Sequence, residues 1–549
     1  ARQMPAVTAD AGELITNTGT AVDAAISPDG ARVATVMRVG SQYQLSVVHL
    51  PTRGTVPLGE PTEARLYGLT FSPDGNYVYF VEEPKDGDSV LSKISIGGGS
   101  AQRVLSDIES GVTFSPRGDE VAYVRSGSQI GVRELVIASA DGAKIRAVAT
   151  TQGSQLFATE GPSWSPDGEK IACSILDFSD GFRGFVGLVT VADGSLASLT
   201  TPNWFYVGQI QWVANGTRLL ASAAKEPMGS MQLWDIAFPS GSIEPYRSDL
   251  NSNDGIGVSG DGKLVVSVRT SLPTSIWTRS LTTESDERQL PLGTTRFYGV
   301  SWTRDGRVLY SASTRGTPDI WLAEADGRNA RQITFEDSID RDPVMSPDGR
   351  FVFFSSNRAG AFNIWRIRSD GTEPTQLTFG ADDAFPSCSM AGDYIVFQGY
   401  ENLLPGLWRV GYDGGTPVSI GTSPAKWPAL SPDGNWIACT VLDTATQSWK
   451  AALFPVSGNA APRHYDVPML SVPRFEWQRV RWSGDGLAIT YLADEGDSTV
   501  LYSLALSDGV RTRLFTTHGG KILSYDVRDG VLVCARAPIT SDIVLIRDF

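Results

Sequence analysis

Three histidines set the limit on what acid–base or metal chemistry this chain could perform. His49, His464 and His518 stand in unrelated stretches, so no His-Glu-x-x-His zinc helix exists and a Ser-His-Asp triad has few candidates for its base. Each reads as a surface residue. Gly257-Val258-Ser259-Gly260-Asp261 falls short of G-x-S-x-G and occupies a turn between strands, not a strand-to-helix elbow. Gly97-Gly98-Gly99 is followed by neither a helix nor a lysine, which makes it a loop and not a phosphate cradle. Cys173, Cys388, Cys439 and Cys534 form no CxxC pair and suit neither a disulfide framework nor zinc. Three of them lie in apolar runs such as Ile171-Ala172-Cys173, where a free cysteine behaves as a small buried hydrophobe. The expectation is no catalytic residue, no metal and no cofactor.

The scaffold around these residues is too long, at 549 residues, for one ordinary core. With 57 glycines and 31 prolines it is rich in turns, while 41% apolar content suffices for burial and excludes wholesale disorder. A net charge of −15 argues against a nucleic acid or an anionic membrane surface as partner. No apolar run approaches the roughly 18 residues that cross a bilayer, and the Ala1-Arg2-Gln3-Met4 start lacks a signal peptide's apolar centre. The segment reads as soluble, without membrane insertion, and could be excised from something longer.

Internal repetition dominates. Ser27-Pro28-Asp29-Gly30 recurs at Ser72, Ser165, Ser346 and Ser431, and degenerate copies end at Gly118, Gly216, Gly262, Gly306, Gly392, Gly486 and Gly530. The mean spacing, about 45 residues, is that of a four-stranded propeller blade. Proline suits the second position of a type I turn, aspartate accepts local backbone hydrogen bonds, and glycine supplies the left-handed residue that reverses the chain. The motif is therefore a hairpin turn. Short apolar strands precede it, longer ones follow, and a third strand often carries tryptophan, as in Ile320-Trp321, Ile364-Trp365 and Leu407-Trp408. Its fixed place argues for packing between blades. The fold class expected is all-β: twelve four-stranded blades.

A ring of twelve would leave a large unfilled centre, so two rings of six are preferred, residues 1–290 and 291–549; seven plus five and a single ring stay open. The last repeat runs from Val531 to Ala535 and from Asp542 to Ile546 and then stops. Glu13-Leu14-Ile15-Thr16 has the pattern of the missing fourth strand and is expected to close that blade. Loops leading from a fourth strand into the next first strand converge on a propeller's opening. Tyr67, Tyr206, Tyr298, Asp342, Asp383, Phe385, Trp427 and Trp477 lie there, as candidates for docking a protein or peptide. The alternative is that they plug the channel.

The repeats resemble the WD40-like PD40 repeats of the periplasmic translocation protein TolB across nearly the whole chain. A closer likeness is to the C-terminal propeller region of acidobacterial membrane-anchored serine/threonine protein kinases. It rests on Ala21-Val22-Asp23-Ala24-Ala25-Ile26, on residues 67–79, on Phe362-Asn363-Ile364-Trp365-Arg366 and on Thr540-Ser541-Asp542-Ile543-Val544-Leu545-Ile546. In that family a kinase domain and one membrane helix precede the propeller, which implies a periplasmic or extracytoplasmic sensor or docking role. No kinase motif is present, and Asp340-Arg341-Asp342 only echoes one. A second class is the prolyl-oligopeptidase type, where a similar propeller covers an α/β hydrolase; no helical hydrolase pattern remains once twelve blades are assigned, so that alternative is the propeller of such a peptidase with its catalytic domain missing from this sequence.

Overall fold

In the computed structural model every regular element is a β-strand. It describes residues 12–547 except 86, 130, 180–182, 202–203, 214, 226–228, 248–250, 284–286, 294, 314–316, 402–403, 422, 444–447, 458–461, 469–479, 496–497 and 518–519. Among the described residues the strands form twelve antiparallel sheets, eleven of four strands and one of five. The chain divides into two compact units, Ala1–Ser271 with Thr540–Phe549, and Leu272–Ile539. Each unit holds six blades. In the first, blades 1 to 5 occupy residues 21–57, 65–106, 113–152, 155–198 and 206–247; in the second, blades 7 to 11 occupy 296–332, 340–376, 384–420, 425–468 and 481–516. Blades 6 and 12 are composite.

The Ser-Pro-Asp-Gly turns explain why each blade starts as it does. At Ser431, the backbone N–H of Gly434 donates to the Ser431 carbonyl (2.9 Å), and the Ser431 hydroxyl donates to Asp433 Oδ1 (2.5 Å). Asp433 Oδ1 also accepts from Asn435 N (3.0 Å), while Ser431 Oγ accepts from Trp436 N (2.9 Å). Those donors, the Ser431 hydroxyl first, hold the Asp433 carboxyl below its usual range. All twelve closing glycines have φ between 69° and 84°, where a Cβ would be strained.

Apolar burial joins blades in sequence. Each hydrophobic cluster spans two neighbours, as Val36, Leu45 and Val47 of blade 1 meet Leu69, Val78 and Phe80 of blade 2. The first unit closes where Ala24, Ile26 and Val33 of blade 1 pack on Val266, Val268, Ile543 and Leu545 of blade 6. In the second, Ile276, Val533 and Ala535 of blade 12 pack on Phe297, Val300 and Val308 of blade 7. The third-strand tryptophans take part: Trp234, Trp321, Trp365 and Trp408 all lie against such clusters.

The ends of the chain pair as expected but not in the sheet expected. Glu13–Leu14 lies antiparallel to Thr540–Arg547, with Glu13 opposite Leu545 and Leu14 opposite Val544. Thr540–Arg547, however, pairs with Leu264–Ser271, so the N-terminal strand completes blade 6 of the first unit. Val531–Ala537 takes Ser275–Ser280 as its third strand and Arg288–Gln289 as its fourth, making blade 12. The boundary expected near residue 290 thus stands at Ser271/Leu272, with a second passage at Ile539/Thr540. Both passages carry proline, Pro273 and Pro538, where Gly40 and Gly360 serve the corresponding hairpins of blades 1 and 8. Proline holds the preceding residue extended and disfavours a tight reversal.

Candidate functional site

The first strand of most blades is interrupted. In blades 8, 9 and 10 the ladder skips two residues, Asp342-Pro343, Phe385-Pro386 and Trp427-Pro428. Proline has no N–H to lose there. The residue before each proline has φ of 58°, 58° and 57°, in the left-handed region that non-glycine residues rarely occupy. Blade 2 makes the same skip with Gly68, and a Cβ on Gly68 would lie 2.6 Å from Gly111 Cα, just ahead of blade 3. Blade 7 makes it with Tyr298-Gly299. Blade 2 thus meets the left-handed position of the bulge with a glycine, where blades 8, 9 and 10 hold Asp342, Phe385 and Trp427.

Cations accompany these side chains. The Arg341 guanidinium lies 4.3 Å from the Phe362 ring centroid and 5.7 Å from that of Phe385, with its Nε 3.6 Å from Asp342 Oδ2. Lys426 Nζ lies 4.5 Å from the Trp449 ring and 5.7 Å from that of Trp427. The Trp427 backbone N–H donates to Gln398 Oε1 across the blade junction (3.2 Å). Asp383 is buried, accepts from Gly380 N (3.1 Å), and has its carboxyl raised by that burial. Arg341, Asp342, Asp383 and Trp427 are buried and Phe385 and Lys426 half-buried, so these cation–π contacts lie largely within the fold.

Of the eight residues singled out from sequence, Tyr298, Asp342, Asp383, Phe385 and Trp427 stand on or at the first strands of blades 7 to 10. Tyr67 and Tyr206 belong to the first unit. The Tyr67 phenol, under Arg65 at 4.9 Å, is pushed up to about 12 by burial and then by Glu83. Tyr206 donates to Glu160 Oε1 (2.5 Å). Trp477 lies outside the described residues. Arg341 and Lys426 were missed, although the triplets Arg341-Asp342-Pro343, Ala384-Phe385-Pro386 and Lys426-Trp427-Pro428 recur at blade spacing and could have marked them.

His49 is held by Thr52 (2.8 Å), His464 is exposed on the outer strand of blade 10, and His518 lies outside the described residues. Cys173, Cys439 and Cys534 are buried, and burial pushes the Cys388 and Cys534 thiols up to about 12. Among the described residues no group of three or more His, Cys, Asp or Glu stands close enough to hold a metal ion, and no helix is long and apolar enough to cross a membrane.

No curated protein matches the chain. Solved structures similar to it include TolB from Agrobacterium tumefaciens, at 15% identity over 50% of this chain and 99% of that one, with a TM-score of 0.38. Tricorn protease matches at 12% identity over 93% of this chain and 59% of its own, TM-score 0.34. One of two prolyl endopeptidases matches at 11% over 73% and 55%, TM-score 0.31. Residues 297–463, which run from blade 7 into blade 10 and contain all three bulged X-Pro pairs, match the family model described as the TolB beta propeller domain, PD40.

Proposed function

We propose that this chain is a non-catalytic propeller protein that binds a protein or peptide segment on the first strands of blades 8 to 10. On this reading it works outside the cytoplasm, as a TolB-like module or as the sensor part of a receptor-type serine/threonine kinase. The observation that carries it is the run of strained, non-glycine bulges at Asp342, Phe385 and Trp427, with Arg341 and Lys426 set against aromatic rings. Strain kept where glycine would relieve it is a mark of function. The test compares partners captured by the intact protein with those captured by Trp427→Ala and Phe385→Ala, folded state being checked by melting. Binding should weaken by more than about 1 kcal/mol for each. Affinities unchanged in both variants would refute the site, and turnover of ATP or a peptide ester by the homogeneous protein would refute the non-catalytic role.

A further inference from the structure

The fourth strands of blades 7 and 8 end alike. Ile333-Thr334-Phe335 and Leu377-Thr378-Phe379 each turn the threonine inward, where its hydroxyl accepts the backbone N–H of Ile320 (3.0 Å) or Ile364 (2.9 Å) on the neighbouring third strand. The phenylalanine that follows is left outside. Phe379 is 78% exposed and Phe335 71%, the two most exposed large apolar side chains among the described residues. The repeat does not require this: the equivalent residue after Leu199-Thr200 in blade 4 is Thr201. Acids follow both rings. Residues 335–340 read Phe-Glu-Asp-Ser-Ile-Asp and residues 379–383 read Phe-Gly-Ala-Asp-Asp, with no cation in either loop. Glu336 and Asp337 are exposed. Arg358, 3.6 Å from Glu336, is buried and spends its charge on the buried Asp340 at 2.7 Å. Both loops lead within a few residues into the strands that carry Asp342 and Phe385.

We propose that these two loops are the outer grip for a cationic, apolar segment of a partner protein. Its aliphatic or aromatic side chains would cover Phe335 and Phe379, and its lysines or arginines would meet Glu336, Asp337 and Asp382 and the ring faces. The net charge of −15 steers such a partner and opposes a second copy of this chain. This rests on the docking reading given above and names the chemistry of its partner.

The probe is a fluorescent nine-residue peptide of alternating lysine and leucine, measured by anisotropy against the full chain. Controls are the glutamate–leucine and lysine–serine counterparts. The lysine–leucine peptide should bind, Phe335→Ser with Phe379→Ser should weaken it at least tenfold, and Glu336→Gln with Asp337→Asn about fivefold, with neither control binding comparably. Since all four side chains are exposed, folding should survive, as melting will show. Equal affinity for the glutamate peptide, or no effect of the phenylalanine pair, overturns the grip. If Trp427→Ala still abolishes binding in that case, the wider docking site stands without it. A dimer that the phenylalanine changes dissolve in sedimentation would make a second copy the occupant and also overturn the proposal.

Discussion

Replacing Asp319 by Asn should flatten the pH dependence of stability contributed by the junction of blades 7 and 8. Asp319 opens the third strand of blade 7, accepting from Gln332 Nε2 (2.8 Å) and the Thr334 hydroxyl (3.3 Å). Burial first, and then the Asp340 carboxylate, raise its pKa from 3.8 to about 6, against the pull of Thr334, Arg358 and Gln332. With the folded value above the unfolded one, the native state holds an extra proton between the two. The stabilisation is complete below about pH 4 and is lost as the pH rises through about 6. Two units would be worth about 3 kcal/mol, and because Asp319 is only partly buried, solvent screening reduces this to about 1–2 kcal/mol. The next junction shows that asparagine fits: Asn363 takes the equivalent place, accepting from Gln376 Nε2 (3.0 Å) and donating to the Gly380 carbonyl (2.8 Å), with Asp383 in the place of Asp340. Urea unfolding followed by tryptophan fluorescence from pH 3.5 to 8 should find Asp319→Asn more stable than the parent by about 1–2 kcal/mol at pH 8 and equal to it below about pH 4. Asn363→Asp should create a second such dependence. Parallel stability curves for parent and Asp319→Asn across that range would refute the reasoning.

Two further outcomes follow from the first unit. Removing residues 1–16 strips blade 6 of its outer strand; the ladder at Glu13 and Leu14, Ile15 N to Ile543 O (2.8 Å) and Ile543 N to Thr16 Oγ1 (2.9 Å) are lost with the half-buried Ile15, about 3–4 kcal/mol in all, and equal melting temperature and solubility of the two proteins would count against the pairing. Gly68→Ala drives a Cβ to within 2.6 Å of Gly111 Cα at a φ of 66°, so melting should fall by several degrees, corresponding to at least about 2 kcal/mol, and an unchanged melting temperature would show that blades 2 and 3 do not approach so closely.

Local chemistry was legible and long-range pairing was not. Each Ser-Pro-Asp-Gly turn is built from residues within five positions of one another, so twelve hairpins could be read in advance. Whether Thr540–Arg547 follows Val531–Ala537 or crosses to Leu264–Ser271 depends on partners hundreds of residues away, and Ser275–Ser280 offers the same third-strand pattern. Pro273 and Pro538 were the local trace of that exchange. In the site, Asp342, Phe385 and Trp427 were visible as polar and aromatic residues before a first strand. Their left-handed conformation was not legible, because a following proline ordinarily asks the residue before it to be extended. Phe335 and Phe379 were passed over because they directly follow an outer strand whose last threonine already satisfied the pattern.

The cost of the bulges decides how blades 8 to 10 should be understood. A non-glycine residue held at φ near 58° costs of the order of 1–3 kcal/mol, and proline ordinarily asks the residue before it to be extended. Three such positions in succession spend an amount comparable to a sizeable part of a domain's stability. Blade 2 reaches the same interruption with Gly68 at φ 66°, and in blade 7 the positive φ falls on the second skipped residue, Gly299, so the interruption alone does not demand the expense. Within the protein, Arg341 and Lys426 stack on rings, the Trp427 N–H reaches Gln398, and Asp342 and Trp427 are buried. Yet Gly68 abuts Gly111 with no side chain between blades, the compact solution that blades 8 to 10 forgo. On the docking reading proposed above, the side chains kept at Asp342, Phe385 and Trp427 against that alternative serve a bound segment, on strands that follow the loops carrying the exposed Phe335 and Phe379.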